Sequence, residues 1–579
     1  MSLLQRLLLV IISCLWSSMV FAEIHVDVLI SGIENRLEEN VRLFLSIEQQ
    51  KDHALMSEGR LRRLHKKANQ EITNALQPFG YYRPVIASSL SSLDEGHWQA
   101  TYRIDTGPEI RIARFDLSIR GEMAADPAFL NLRDNLPLKQ GDVFEHRPYE
   151  QLKTSLLKLA SERGYVDARF TAHKVEVDLD AYEARVQLSY DSGPRYAFGQ
   201  VNVSQQVLKP ALMDRFVSIE VGTPYDLNEL ISLQQALNDS DYFQSVEVSP
   251  GQPQSQTHQI PVDINVVPRK KHRYSFGLGY GTDTGARTSF SWEMPLINNR
   301  GHRVRSELDV SEIGYSASVH YAIPVLNPRT DRLIYSAGQV NEKTDTSEST
   351  VQTIGVSLNK SRGEWRESIS LEYQEEDFSV ADVSEVSRLL IPGISWSRTW
   401  GRGLIYTLDG VRFDLGLQGA SAQLASDIDF FQMQGGIKAI HALGEKNRLI
   451  ARGRLGSTWT EAFDSLPSSV RYFAGGAQSV RGYAYQSLGP VDDSGDIEGG
   501  KHLMVGSIEF EHSFSERWGM AVFYDGGNAI NSLGDDLERG AGFGWRWKSP
   551  VGPVRIDFAS AISQPSDPWR IHINIGPDL

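Results

Sequence analysis

Beyond about residue 272 the chain keeps a period of two, and the two faces that this period defines are unlike. HRYSFGLGYG sets Tyr274, Phe276, Leu278 and Tyr280 against Ser275, Gly277, Gly279 and Gly281. RTSFSWEM sets Phe290, Trp292 and Met294 against Ser289, Ser291 and Glu293, and RVRSELDV sets Val304, Leu308 and Val310 against Arg303, Arg305, Glu307 and Asp309. Such alternation is a strand signal. A soluble sandwich alternates too, but its inner faces meet in one dry core and its turns come every ~8–12 residues. Aromatic residues on one face and charges or glycines on the other fit a transmembrane barrel, with lipid outside and water inside. Lipid tolerates no open sheet edge, so the sheet has to close on itself. The 311 residues from Arg269 onward, at roughly 19 per strand with its connection, predict an all-β barrel of about 16 antiparallel strands, an even number.

The start of the chain predicts export. MSLLQRLLLVIISCLWSSMVFA carries one positive charge at Arg6, an apolar run from Leu7 to about Leu15, and Val20 and Ala22 at positions −3 and −1 of a cleavage site. Residues 1–22 are thus expected to be a secretory signal peptide, too short in its apolar part for a membrane span. The only cysteine, Cys14, lies inside it, so residues 23–579 hold no thiol. Disulfide, cysteine-nucleophile and zinc–thiolate chemistry are excluded. The net charge is −15, and removing Arg6 leaves −16 on residues 23–579, which argues against nucleic acid as a ligand. No later segment approaches 18 uninterrupted apolar residues, so no helical span is expected.

Between these two regions a unit recurs with a period near 80 residues, marked by Gly80, Gly164 and Asp241. The first copy offers a helical stripe of Leu61, Leu64, Ala68 and Ile72 before PFGYYRPV. The second offers Tyr149, Leu152, Leu156 and Leu159 before Gly164 and Tyr165. The third offers Leu230, Leu233 and Leu237 behind Asp226 and Glu229, which are spaced as a capping box. Each copy returns along a final strand: WQATYRIDTGP, EARVQLSYDSGP and IPVDINVVP. Three small α+β domains are expected, over 23–107, 108–193 and 194–268, with the barrel over 269–579.

One loop of the barrel half stands out. AGGAQSVRGYAYQSLGP places Arg481 between glycines, which permit close approach to another surface. Either the loop is solvated or its guanidinium fork meets a carboxylate. Candidate partners lie downstream. Ile508 and Phe510 flank Glu509, while Met520, Val522 and Tyr524 share a face, so that Asp525 and Glu509 both fall on lumen-compatible faces.

These segments carry a resemblance. SVRGY at 479–483, GSIEFE at 506–511, FYDGGN at 523–528 and GFGWRWKSPVGPVRIDF at 542–558, behind three α+β repeats, resemble the outer-membrane assembly and translocation family. In that family, periplasmic polypeptide-transport-associated (POTRA) domains precede a barrel; three repeats look most like its translocation-and-assembly-module (TamA) branch. The resemblance maps a loop-six motif onto Val480, Arg481, Gly482 and Tyr483, and lumen partners onto Glu509, Phe523, Asp525 and Gly527. It implies that the loop folds into the lumen and that Arg481 meets those acids. The end HINIGPDL lacks the terminal aromatic of many outer-membrane barrels, but suits the Gly-Pro-acidic-Leu tail of this branch.

A barrel also needs a seam. Its first strand, with Tyr274, Phe276, Gly277, Gly279 and Tyr280, would meet its last, with Ile571, Ile573 and Ile575, and glycines together with Pro577 predict weak pairing there. The resemblance implies a non-enzymatic Gram-negative outer-membrane factor without cofactor or metal, its repeats in the periplasm. Its expected clients are unfolded barrel proteins such as autotransporters, and its expected partner is a TamB-like inner-membrane-anchored protein. Two rivals stay open at this point: a two-partner secretion pore, and a barrel hydrolase using Asp492, Asp493 and His502. The run DDSGDIEGG fails as a calcium loop, because Ile497 and Leu503 stand where glycine and glutamate are required. The basic cluster PRKKHR at 268–273 fits lipid headgroups or a solvated linker equally well.

Overall fold

The computed structural model describes residues 24–53, 56–94, 96–402, 406–549, 552–564 and 569–575. The expected signal peptide and the tail from Gly576, with Pro577, lie outside the described residues. The chain divides into two compact units. One comprises Met1–Asn202, Ile219–Leu230 and Ser249–Asp263, the other Val203–Ser218, Ile231–Val248 and Ile264–Leu579.

Each repeat builds a three-stranded sheet whose last strand in sequence lies in the middle. In the first, His97–Asp105 runs parallel to His25–Ser31 and antiparallel to Val85–Asp94. In the second, Glu183–Asp191 is likewise central, parallel to Arg111–Arg120 and antiparallel to Arg169–Asp178. In the third, Gln259–Pro268 lies between Ala197–Ser204 and Phe243–Pro250.

The helical stripes supply the cores. Glu58–Leu76 begins behind Ser57, whose hydroxyl accepts from the Arg60 amide, and buries Leu61, Ala68 and Ile72. His146–Glu162 buries Tyr149, Leu152 and Leu156 against Val186, Leu188 and Tyr190. In the third repeat Leu230, Leu233 and Leu237 are buried. Asp226 caps the helix Leu227–Asp239 through the Asn228 amide at 2.9 Å, one residue earlier than a capping box with Glu229 would have it.

The repeat marks are structural as well as sequential. Gly80, Gly164 and Asp241 all take left-handed backbone, at φ 91°, 79° and 63°, a conformation that Asp tolerates better than most residues. At each, the chain turns and the following module begins close by. The Gly80, Gly164 and Tyr242 carbonyls accept from the Ile110, Tyr196 and Arg269 amides at 2.9, 2.9 and 3.1 Å.

The barrel half is one 16-stranded antiparallel sheet running in sequence order from Arg273–Gly281 to Arg570–Ile575, as its alternation and length predict. Ile508, Phe510, Val522, Tyr524, Trp545 and Trp547 are exposed outward, while the intervening Glu509, Glu511, Phe523, Asp525 and Arg546 are buried inward. The sheet is nearly closed. Gly281 lies beside Ile573, whose carbonyl is 3.8 Å from where a Cβ on the glycine would stand, yet the described residues hold no ladder between first and last strands. Phe276 and Leu278, on the outward face of the first strand, are 79% and 88% exposed. Gly277 and Gly279 pair only inward along the sheet, with Ser289 and Arg287. Ile571, Ile573 and Ile575 pair with Phe558, Ile556 and Val554.

Candidate functional site: the loop-anchoring charge cluster

The strands Asn447–Trp459 and His502–Ser513 are neighbours in the sheet but are joined by the long segment 460–501, which folds back on the barrel's inner face. Two apolar patches hold it. Phe463, Leu466 and Val470 pack with Leu389, Ile391, Ile428 and Phe430. Further along, Tyr472, Ala474, Val480, Tyr483 and Leu488 pack with Leu503, Val505, Ala529 and Ala561. Within the first patch's stretch of the loop, Glu376 accepts from the Ser468 hydroxyl at 2.6 Å and the Ser469 amide at 3.1 Å.

Arg481, 4% exposed, carries the polar attachment. Its Nε and Nη2 donate to the two oxygens of Asp525 at 2.7 and 2.9 Å, a bidentate fork, and its own backbone amide reaches Asp525 Oδ2 at 3.1 Å. Nη1 is shared between Glu509 Oε2 at 2.7 Å and Asp557 Oδ2 at 3.1 Å, and Nη2 also meets Ser507 Oγ at 3.2 Å. The guanidinium carbon stands 3.4 Å from the centroid of the Phe523 ring, a cation–π contact.

The acids have a second cation. Arg546 reaches Glu509 at 2.6 Å, Glu511 at 2.9 Å and Asp557 at 2.6 Å. Glu511 is also bonded by Arg448, and Arg452 lies 3.7 Å from Asp525. Four guanidinium groups thus face four carboxylates in a buried network, so each charge is compensated by neighbours.

The glycines are required for contact. Gly482 has φ 101°, and a Cβ there would lie 2.8 Å from backbone atoms of Ser560 and Ala561. A Cβ on Gly527 would stand 2.3 Å from the Met504 carbonyl, and one on Gly540 would stand 2.0 Å from the carbonyl of Arg481 itself. Tyr483 donates to Glu538 at 2.9 Å.

The structure therefore brings together Val480, Arg481, Gly482, Tyr483, Glu509, Phe523, Asp525 and Gly527. Sequence reasoning missed Ser507, Glu511, Arg546, Asp557 and Arg452. Glu511 was accessible to it, being two residues beyond Glu509 on the same face, as was Arg546 between the outward Trp545 and Trp547. Asp492 and His502 have separate partners: His502 bonds Ser457 at 2.7 Å, and Asp492 caps its own turn through the Ser494 and Asp496 amides. In the basic cluster, Arg269 and Arg273 pair with Asp241 at 3.3 and 3.1 Å.

The Omp85 superfamily domain matches residues 297–578, a POTRA domain of the TamA domain 1 type matches 27–106, and a POTRA domain described as a surface antigen variable number repeat matches 196–269. The chain belongs to the Omp85 superfamily. It is an outer-membrane barrel with periplasmic POTRA domains. Among curated relatives, the outer membrane protein assembly factor BamA of Nitratidesulfovibrio vulgaris is 28% identical over 152 residues, covering 25% of this chain and 19% of that protein. The factor of the same name from Neorickettsia risticii is 21% identical over 467 residues, covering 75% of this chain and 61% of that one. This Omp85 chain thus spans about a fifth and about three fifths of their lengths. Among solved structures, BamA from Haemophilus ducreyi lacking POTRA domains 1–3 superposes with a TM-score of 0.67 at 15% identity, over 81% of this chain and 99% of that one, a likeness of fold.

Proposed function

We propose that this Omp85 chain is an assembly factor that helps barrel proteins, autotransporters among them, enter the outer membrane. The observation that carries the reading is a barrel whose first and last strands share no ladder among the described residues, beside a loop bound to the inner wall through Arg481. Unpaired strand edges are templates for a client strand, because each backbone N–H and C=O left free in an apolar setting gains from a partner. The periplasmic sheets add edges of the same kind: Val85–Asp94 lies at the side of the first sheet, largely exposed. The TamA-type first repeat supports a TamB-like inner-membrane-anchored protein as the partner. Val480, Arg481, Gly482 and Tyr483 act in this reading as the plug that positions the inner wall, with Glu509, Phe523, Asp525 and Gly527 as its seat.

The test locks the seam. A disulfide between a cysteine in residues 276–280 and one in 571–575 is expected to leave the barrel folded and to slow client assembly, which is restored on reduction. Oxidised, cross-linked protein that assembles an autotransporter as fast as its reduced form would overturn lateral opening. For the partner, the tagged full-length chain should retain a TamB-like protein through detergent extraction, and loss of residues 23–107 should abolish retention.

A further inference from the structure

The first and last strands are joined by something other than a ladder. Asp283 sits in the turn of the first hairpin, between the strands Arg273–Gly281 and Gly285–Met294. Its Oδ2 accepts from the Ala477 amide at 2.7 Å. His572 lies on the last strand, only 1% exposed, and its Nε2 accepts from the Gly482 amide at 3.0 Å. Both contacts come from one short stretch of the loop, 477–482.

The two side chains also face each other. An amide N–H directed at Nε2 requires a lone pair there, so the proton of the neutral ring stands on Nδ1. That nitrogen has no hydrogen-bond partner and lies 3.6 Å from Asp283 Oδ1. One carboxylate and one imidazole, on opposite sides of the seam, thus point toward each other and toward the same loop segment. Arg481, within that segment, is fixed to Asp525, Glu509 and Asp557.

We infer that the 477–482 segment is a clasp across the barrel seam, with Asp283 and His572 as the positioning residues that seat it on the first hairpin and on the last strand. The loop supplies, through two backbone amides, the connection that the end strands do not make between themselves. Opening the seam then requires release of Ala477 from Asp283 or of Gly482 from His572. The clasp adds a regulator to the seam proposed above as the route for clients. Its geometry does not depend on what passes.

The test measures the seam without a client. In a C14S background, G281C and I573C place one thiol on each end strand, and the rate of disulfide formation under mild oxidant reports how much of the time the strands lie together. D283A and H572A are each expected to slow this rate by about three- to tenfold, the factor that corresponds to losing one hydrogen bond. H572Q, whose carbonyl oxygen can accept from Gly482, is expected to restore most of it. Heat-modifiable migration confirms that each variant is a folded barrel. Parent-like rates in both folded alanine variants would overturn the clasp. Should an alanine variant fail to fold, D283L or H572F takes its place: each keeps side-chain bulk but offers no acceptor to the loop amide. A slowed rate in the folded replacement supports the clasp, and a parent-like rate overturns it. Failure of client assembly with a normal clasp would count against the proposed function alone.

Discussion

In the second repeat, the helix His146–Glu162 is held to its sheet by Tyr149, Leu152 and Leu156 buried against Val186, Leu188 and Tyr190. In the barrel, the segment 460–501 is held on the inner wall by Arg481 among Glu509, Asp525 and Asp557, with apolar contacts on either side. The two attachments fail differently. Apolar burial is graded, since each side chain contributes roughly in proportion to the area it hides. A buried charge network is not graded, because removing one member leaves its partners uncompensated. The barrel uses the second kind around Arg481 because Glu509, Glu511, Asp525 and Asp557 all face inward there, while neighbours such as Ile508, Phe510, Val522 and Tyr524 are turned outward, toward lipid.

The sharpest way to break the comparison is Arg481→Ala. It should cost about 3–5 kcal/mol of loop attachment, the range for breaking a buried ion pair, and expose 460–501 to protease while the repeats stay intact. Unchanged protease resistance of that segment would show that the apolar patches suffice. Next in size is Leu156→Ala, which should destabilise the second repeat by about 2–5 kcal/mol. Urea unfolding of the periplasmic region followed by a tryptic assay would detect it, and heat-modifiable migration of the barrel should not move. A barrel that loses heat modifiability in this variant would contradict the separation of the two attachments.

A smaller effect tests Asp126, the one buried acid among the described residues of the repeats. Asp126 is 5% exposed and accepts from Arg163 at 2.8 Å, Ala128 at 2.9 Å and Tyr165 at 3.0 Å. Burial opposes its charge, but Arg163, the Ala128 amide and the Tyr165 hydroxyl outweigh burial and hold the carboxyl below its usual range. Burial in turn, with the Asp126 bond, pushes the Tyr165 hydroxyl up to about 12. Because the folded-state value of Asp126 is depressed, its stabilisation is complete above the unfolded value near ~4 and is lost as pH falls through the folded value. Asp126→Asn should therefore cost about 1.5–3 kcal/mol at neutral pH, the range for a hydrogen bond to a charged group, and flatten the acid limb of the unfolding curve. An acid limb as steep as that of the parent would remove Asp126 from the account. The smallest effect belongs to Arg62→Ala, which breaks the exposed pair with Glu58 at 2.7 Å; thermal unfolding should register less than ~1 kcal/mol.

What could be read without coordinates follows from period. Leu61, Ala68 and Ile72 at helical spacing, and Tyr274, Phe276, Leu278 and Tyr280 at strand spacing, reveal their faces because a regular backbone maps residue number onto direction. The same mapping placed Glu509 and Asp525 inward. It says nothing about which inward residues meet across strands. Asp557 shares Arg481 with Glu509 at a separation of 48 residues, and Arg546 joins Glu509, Glu511 and Asp557 only because their strands are near one another in the sheet. Asp283 and His572 lie 289 residues apart and come within 3.6 Å only because a sheet of 16 strands curls until its ends meet. Residue identity and local period determined the modules, their faces and the loop that had to find a partner. The partners themselves, and the clasp across the seam, were decided by strand register and closure, which are properties of the whole sheet and of no segment within it.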